Sequence, residues 1–262
     1  MFPPSAPRRG DHAAPVVLAI DTTAASCSVA LDGARGRARR AAPMHQGHSR
    51  HVLRLVEAVL GEAGVAPAEV SAIGFGSGPG SFTGLRIACG IAQGLGFGWA
   101  VPLVPVDAMR TLALQAALAA PRADGPVLVA LDLRMGEVCF AGFDRVDPRA
   151  WPEPFLAPRL AAPDVALAAF EPRGARALLA GDGFDVHRPL ADWAARCGAG
   201  ARPSSAVQPD AAAVARLALA GLQAGRAVDA ERAAPTYLRD KVALDVDEQA
   251  ALRAARAAGA GR

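Results

Sequence analysis

Gly-Ser-Gly-Pro-Gly-Ser-Phe-Thr-Gly-Leu-Arg, at residues 76–86, is the most informative segment of this chain. Closely spaced glycines ahead of a helix let backbone N–H groups converge on an anion. The stretch lacks the Lys-Ser or Lys-Thr of a Walker loop, and its glycine spacing does not match the dinucleotide fingerprint. A second reading stays open, a tight, proline-stiffened turn from strand to helix in which Ser81 or Thr83 caps the helix.

The segments around this stretch alternate between strand and helix patterns. Apolar runs predict strands, and an apolar spacing of three to four residues predicts helices. Predicted strands span residues 16–20, 27–31, 73–76 and 102–106, with a loop at 77–83 and helices from Ser49 to about Gly64 and from Leu85 to Gly98. The alternation predicts an α/β fold.

The beginning of the chain is echoed about a hundred residues later. Asp21 ends the first apolar strand and precedes a turn and a second strand. Asp132 does the same between the predicted strands at 127–131 and 138–143. This pattern suggests two copies of one β-turn-β module. A proline-rich crossing at 148–158, a helix from Asp164, a strand near Leu178 and a helix from Asp210 to Gln223 complete the prediction.

Composition favours a cytoplasmic protein. Residues 1–14 lack the apolar run of a signal peptide, so we expect a disordered tail there. Residues 87–106 carry no charge, but their four glycines and two prolines favour a buried helix followed by a buried strand over a membrane span. The four cysteines are too far apart in sequence for a zinc or redox motif.

One local charge cluster departs from the modest net charge of +3. Six arginines meet no acidic residue between Gly33 and Val56: Arg35, Arg37, Arg39, Arg40, Arg50 and Arg54. They could face a phosphate backbone or an acidic partner. The alternative is a solvated edge strand and a polar helix face.

The loop and three further segments resemble the TsaB family. The motif GPGSFTGLR at residues 78–86 carries most of the likeness, and the two β-turn-β modules and Pro-Thr-Tyr-Leu-Arg at 235–239 agree with it. The resemblance spans roughly residues 17–242 and implies the two-lobed fold of actin, Hsp70 and sugar kinases, with a shortened second lobe. We expect lobes at 15–110 and 111–240 and a C-terminal tail at 241–262.

The same resemblance implies a binding subunit rather than an enzyme. The family acts as the obligate partner of its paralogue TsaD, which transfers threonylcarbamoyl to tRNA. The ATPase TsaE joins the pair, and the chain contacts tRNA as part of the complex. No cofactor or metal is expected, and a homodimer is conceivable when the chain is alone. A vestigial nucleotide-like site would comprise Asp21, Thr22, Thr23, Gly78, Gly80, Ser81, Thr83 and Asp132.

The expected partner interface lies on the first two helices. Arg86, Gly90, Gly94 and Gly98 fall four apart and form one row, in which each interior glycine costs about 1 kcal/mol relative to alanine. Such a cost is reasonable where another backbone approaches closely. Packing of the row on the chain's own sheet is the alternative. The first helix would add His48, His51, Leu55 and Val59.

Two other functions compete with the binding subunit. An ATP-dependent phosphotransferase of the sugar-kinase type would need a general base and a full second lobe. A metallopeptidase would need a metal set, and His45, His48 and His51 lack the glutamate of an HExxH helix.

Overall fold

The computed structural model describes residues 14–43, 48–121, 123–196 and 207–238, with the side chains of residues 48–50 outside that description. Nearly all of the two predicted tails, residues 1–14 and 241–262, therefore lies outside the described residues.

The first sheet has five strands in the order β3-β2-β1-β4-β5. Their bounds are β1 Val16–Asp21, β2 Ser26–Gly33, β3 Gly36–Pro43, β4 Ala72–Gly78 and β5 Leu103–Asp107. Strands β1, β2 and β3 pair antiparallel, and β4 and β5 add in parallel on the other side of β1. The edge strand β3 carries three of the six clustered arginines, Arg37, Arg39 and Arg40, while Arg50 and Arg54 lie in the segment 48–63.

The second sheet has four strands in the order β8-β7-β6-β9. Their bounds are β6 Val127–Asp132, β7 Val138–Phe143, β8 Leu156–Ala161 and β9 Leu178–Ala180. Strand β6 pairs antiparallel with β7 and parallel with β9, which repeats the arrangement of β1 with β2 and β4. The predicted duplication of a β-turn-β module is confirmed, as is the α/β fold of two related sheets with a smaller second one.

Seven helices cover these sheets among the described residues. They are α1 His48–Ala63, α2 Phe82–Trp99, α3 Ala108–Ala119, α4 Pro163–Phe170, α5 Gly183–Val186, α6 Arg188–Arg196 and α7 Ala211–Gln223. Helices α1 and α2 pack on one face of the first sheet, through side chains that include Val52, Val59 and Ala92. Helix α7 covers the opposite face, where Val214 and Ala218 contact the strands.

The second sheet is also covered on both faces. Helix α3 packs Met109 and Leu112 against one face. Helices α4, α5 and α6 cover the other with an aromatic cluster of Phe140, Phe170, Phe184 and Trp193.

Two element boundaries and one lobe assignment differ from the expectations. The predicted loop at 77–83 is shorter, because β4 continues to Gly78 and α2 begins at Phe82. Helix α7 falls within the predicted C-terminal lobe at 111–240 but packs on the first sheet. The chain therefore returns to the first lobe near its end. The uncharged stretch 87–106 divides into the greater part of α2 and most of β5. None of the described helices is long and apolar enough to cross a membrane.

Candidate functional site

The turn after β1 buries its polar side chains completely. Asp21, Thr22 and Thr23 are between 0% and 5% exposed. The Oδ1 atom of Asp21 accepts hydrogen bonds from the backbone N–H and the hydroxyl of Thr23, each at 2.9 Å. Burial raises the pKa of Asp21 from 3.8 to about 6, against the opposing effect of these two hydrogen bonds. Asp21 and Thr23 are therefore hydrogen-bonded to each other within the turn.

The glycine-rich loop packs directly onto this turn. The Ser81 N–H donates to the Thr23 carbonyl at 2.9 Å, and the Thr22 hydroxyl donates to the Gly84 carbonyl at 2.6 Å. A Cβ atom added to Gly84 would lie 1.9 Å from the Thr22 carbonyl oxygen, and one added to Gly80 would lie 2.8 Å from Thr23 Cβ. These glycines allow the backbone of the loop and that of the turn to touch.

Ser81 caps helix α2, as one of the two sequence interpretations predicts. Its Oγ accepts from the Gly84 N–H at 3.3 Å, while Thr83 is exposed. Gly78 serves a different contact, because a Cβ atom there would lie 2.7 Å from the Thr236 carbonyl oxygen. Of the predicted nucleotide-like residues, the structure thus brings the Asp21–Thr23 turn together with Gly80 and Ser81.

Asp132 occupies the equivalent place in the second lobe but has different partners. Its Oδ1 lies 2.9 Å from His187 Nε2 and accepts from the Arg134 N–H at 3.1 Å. Its backbone N–H donates to Asp182 Oδ1 at 2.8 Å. Burial raises the pKa of Asp182. Sequence reasoning did not find His187 and Asp182, which follow the short strand β9.

A C-terminal segment crosses the start of α2. The Thr236 N–H donates to the Ser77 carbonyl at 2.7 Å, and the Tyr237 ring lies 5.5 Å from the Phe82 ring. Arg86 stacks over Phe82 and its Nε donates to the Tyr237 hydroxyl at 3.2 Å. Arg86, a predicted interface residue, is therefore exposed but already held by two aromatic side chains.

Helix α2 presents its glycines to two different environments. Gly84 and Gly96 face the protein, where an added Cβ would meet Thr22 and Leu103. Gly90, Gly94 and Gly98 are exposed, and an added Cβ would meet no heavy atom of the described residues within 4 Å. The alternative that this row packs on the chain's own sheet is therefore wrong. Phe97, on the same side, is 84% exposed.

The predicted interface residues of α1 are divided between surface and core. His51 is exposed and Leu55 is half-buried. Val59 is fully buried in the core beneath the helix, so the prediction that it forms part of an interface is wrong. The side chain of His48 and all of His45 lie outside the described residues. The part of the chain that the structure describes contains no group of three or more His, Cys, Asp or Glu side chains able to hold a metal ion.

Four of the clustered arginines are paired with acids from other segments, namely Arg35 with Glu69, Arg37 with Asp32, Arg39 with Asp210 and Arg40 with Glu62. Side chains alternate along β3, so Arg40 lies on the α1 side with the buried Ala38. Arg37 and Arg39 lie on the α7 side. The three arginines of β3 are thus divided between the two faces of this edge strand.

Comparison with known proteins gives consistent results. Residues 42–244 match the family model TsaD: tRNA N6-adenosine threonylcarbamoyltransferase. The chain is 32% identical over 231 residues to the Escherichia coli tRNA threonylcarbamoyladenosine biosynthesis protein TsaB, covering 87% of this chain and 96% of that protein. A tRNA N6-adenosine threonylcarbamoyltransferase from Chromobacterium violaceum is 36% identical, but over 32% of this chain and 25% of that protein.

Solved structures agree with the sequence matches. YeaZ from Pseudomonas aeruginosa is 30% identical, with a TM-score of 0.68 over 84% of this chain and 100% of that chain. A second structure from that organism, described as having similarity to peptidase YEAZ, gives a TM-score of 0.71 at 30% identity over 86% of this chain and 100% of that one. The topology described above is therefore the topology of these structures.

Proposed function

This chain belongs to the family of the TsaD model and, within it, to the TsaB proteins, and from that membership we propose that it is the non-catalytic partner subunit of TsaD. The complex places threonylcarbamoyl on the adenosine next to the anticodon of tRNAs that read ANN codons. We place the protein in the cytoplasm, where TsaE joins the two subunits, and we include a homodimer of the isolated chain in the proposal.

The state of the turn at Asp21–Thr23 supports a role without chemistry. A phosphotransferase of the sugar-kinase type would use backbone and hydroxyl groups of this turn to hold phosphate. Here the Thr22 hydroxyl donates to Gly84 and the Thr23 hydroxyl donates to Asp21. A Cβ atom on Gly80 would collide with Thr23, so the glycine-rich loop lies directly against the turn on that side.

The open glycine row of α2 is the observation that carries the partner role. Gly90 and Gly94 each weaken the helix interior by about 1 kcal/mol relative to alanine, and neither they nor Gly98 gain a packing contact inside the described chain to offset it. A bare helix backbone beside the exposed Phe97 fits the close approach of a second helix. His51 and Leu55 of α1 and Arg86 of α2 extend this surface in our proposal.

The proposal is tested by reconstitution of the modification reaction. Purified TsaD, TsaE and a source of threonylcarbamoyl-adenylate should modify tRNA only when this chain is added. The chain alone should hydrolyse ATP no faster than the buffer control. ATP hydrolysis at ordinary enzyme rates by the purified chain would favour the phosphotransferase instead.

We expect Asp21→Asn to change the pH dependence of stability rather than an activity. The folded-state pKa of about 6 lies above the unfolded value near 3.8, so the protonated form stabilises the fold below pH 4 and that contribution is lost as pH rises through 6. Asn does not ionise, so the variant does not lose this stability as the pH rises. The difference in unfolding free energy between variant and wild type should widen by about 2 kcal/mol from pH 4 to pH 6.5 and then level off. Urea titrations at several pH values measure these free energies. If the free energies of wild type and Asp21→Asn run parallel across this pH range, the raised pKa of Asp21 is contradicted.

The arginines of β3 are proposed to help the assembled complex hold tRNA. Reversal of Arg37, Arg39 and Arg40 to Glu should weaken tRNA binding by the complex and flatten its dependence on salt. Because Arg40 lies on the α1 side and Arg37 and Arg39 on the α7 side, the single variant Arg40→Glu should show how much the α1 side alone contributes to tRNA binding. Filter binding at several salt concentrations provides the measurement, and an unchanged salt slope in the triple variant would assign these side chains to solubility.

A further inference from the structure

A charged cleft lies on the face of the first sheet opposite α1 and α2. Its volume is about 790 Å³, within the usual range of small-molecule pockets. The edge strand β3 contributes Arg37 and Arg39, helix α7 contributes Arg216, and helix α3 contributes Gln115 and Leu118. The side chains of the Asp21–Thr23 turn do not line it. The cleft is therefore separate from the nucleotide-like turn.

The walls of the cleft are held by hydrogen bonds between segments distant in sequence. Gln115 Nε2 donates to the Gln208 carbonyl at 3.0 Å, and Gln115 Oε1 accepts from the Asp210 N–H at 3.1 Å. The Ala211 N–H donates to the Ser28 hydroxyl at 2.9 Å. These bonds fix the start of α7 against α3 and β2. The backbone at the start of α7 is thus held in place before any ligand arrives.

Arg216 is the least satisfied cation in the cleft. Its side chain is only 22% exposed, and its Nε lies 3.5 Å from Asp32 Oδ2, too far for a strong hydrogen bond. The Arg216 side chain makes no hydrogen bond to any other residue within the described ranges. A guanidinium with unused N–H groups can bind an anionic acceptor through two of them.

The neighbouring charges leave the cleft positive. Arg37 contacts Asp32 through Nε alone, so its terminal nitrogens are not used in that ion pair. Arg39 is bound in a forked pair by Asp210, whose Oδ1 also caps α7 by accepting from the Ala212 N–H. Three guanidinium groups thus face two carboxylates. The excess positive charge lies beside Arg216 and Arg37.

We propose that this cleft binds a small phosphorylated molecule, with its phosphate on Arg216 and Arg37. Phosphate oxygens match the planar fork of a guanidinium, which favours phosphate over a cation or a neutral polar group. Leu118, Val207 and Pro209 supply an apolar wall for the rest of the ligand. A concave cavity with one apolar wall fits a compact ligand better than an extended RNA strand.

Calorimetric titration of the purified chain with inorganic pyrophosphate and with adenosine monophosphate tests this proposal. Saturable one-to-one binding is expected for at least one of the two probes. Arg216→Gln should weaken it about tenfold or more, because a hydrogen bond to a charged group is lost. Arg188→Gln is the matched control, since Arg188 is 91% exposed on helix α6 of the second lobe.

A second variant separates a loss of binding from a loss of folding. Ala212 is exposed in the first turn of α7, where the helix dipole stabilises an acidic side chain. Ala212→Glu should therefore fold normally and still weaken pyrophosphate binding about tenfold through repulsion in the cleft. The proposal is overturned if wild type binds neither probe at 10 mM, if the cleft variants bind like Arg188→Gln, or if only a single-stranded RNA oligonucleotide binds.

Discussion

Gly84→Ala is expected to destabilise the folded protein by about 3 kcal/mol or more. The added Cβ would lie 1.9 Å from the Thr22 carbonyl oxygen and 2.9 Å from its carbon. The Thr22 carbonyl and the helix that holds Gly84 are both backbone, so neither can rotate away as a flexible side chain would. The substitution must separate α2 from the turn after β1, which also breaks the bond between the Thr22 hydroxyl and the Gly84 carbonyl.

Gly90→Ala is the matched control on the same helix. Its added Cβ meets no heavy atom of the described chain within 4 Å, and alanine is a better helix former than glycine. We expect this variant to gain about 0.5 to 1 kcal/mol. Urea unfolding followed by circular dichroism compares the two variants with wild type. Equal stability of Gly84→Ala and wild type would show that the loop does not rest on the turn as described.

Gly94→Leu should abolish binding to TsaD while the isolated chain remains folded. The position is exposed and an added Cβ has open space, so the leucine is accommodated in the free protein. In the proposed complex it would hold two helix backbones apart, and we expect at least a hundredfold loss of affinity. Titration calorimetry with TsaD measures the affinity, and a thermal melt of the variant alone reports on the fold.

Ala168→Leu provides the control for added bulk. Ala168 is exposed on α4 of the second lobe, away from α2, and the same leucine there should leave TsaD binding unchanged. If Gly94→Leu binds TsaD as tightly as this control, the glycine row is not the interface. A collapsed melting transition in Gly94→Leu alone would contradict the open surroundings of this position in the described chain.

Local patterns predicted the first lobe well because its signals are contained in short segments. Asp21 follows an apolar run and is found at the end of β1, and Ser81 stands ahead of a helix and is found capping it. Asp132 repeats the signal of Asp21, and the structure shows the same hairpin after it. Turn chemistry and capping act over a few residues, so one sequence contains enough information for them.

Helix α3 and strand β8 were missed for physical reasons. Eight side chains of α3 are buried between the lobes, so it shows no polar stripe with the period of an amphipathic helix. Strand β8 contains Pro158, which favoured a crossing loop. Proline is tolerated there because β8 is at the edge of its sheet and pairs on one side only.

The polar pairs of the sites were beyond local reasoning. Asp132 meets His187 across 55 residues, and Arg39 meets Asp210 across 171. Within its own segment Arg39 has no acidic neighbour, which made the arginine cluster look like a free cationic surface. Such pairs depend on how helices dock on sheets, and the docking of α7 on the first sheet had no signal in the local pattern.

Threonylcarbamoyl transfer to tRNA in a reconstituted system tests the central proposal most directly. TsaD, TsaE and threonylcarbamoyl-adenylate should modify tRNA when this chain is present, and omission of the chain should abolish the product. Asp21→Asn should support the reaction as wild type does. The account is contradicted if the chain modifies tRNA without TsaD, or if a stably folded Asp21→Asn binds TsaD normally yet yields no modified tRNA.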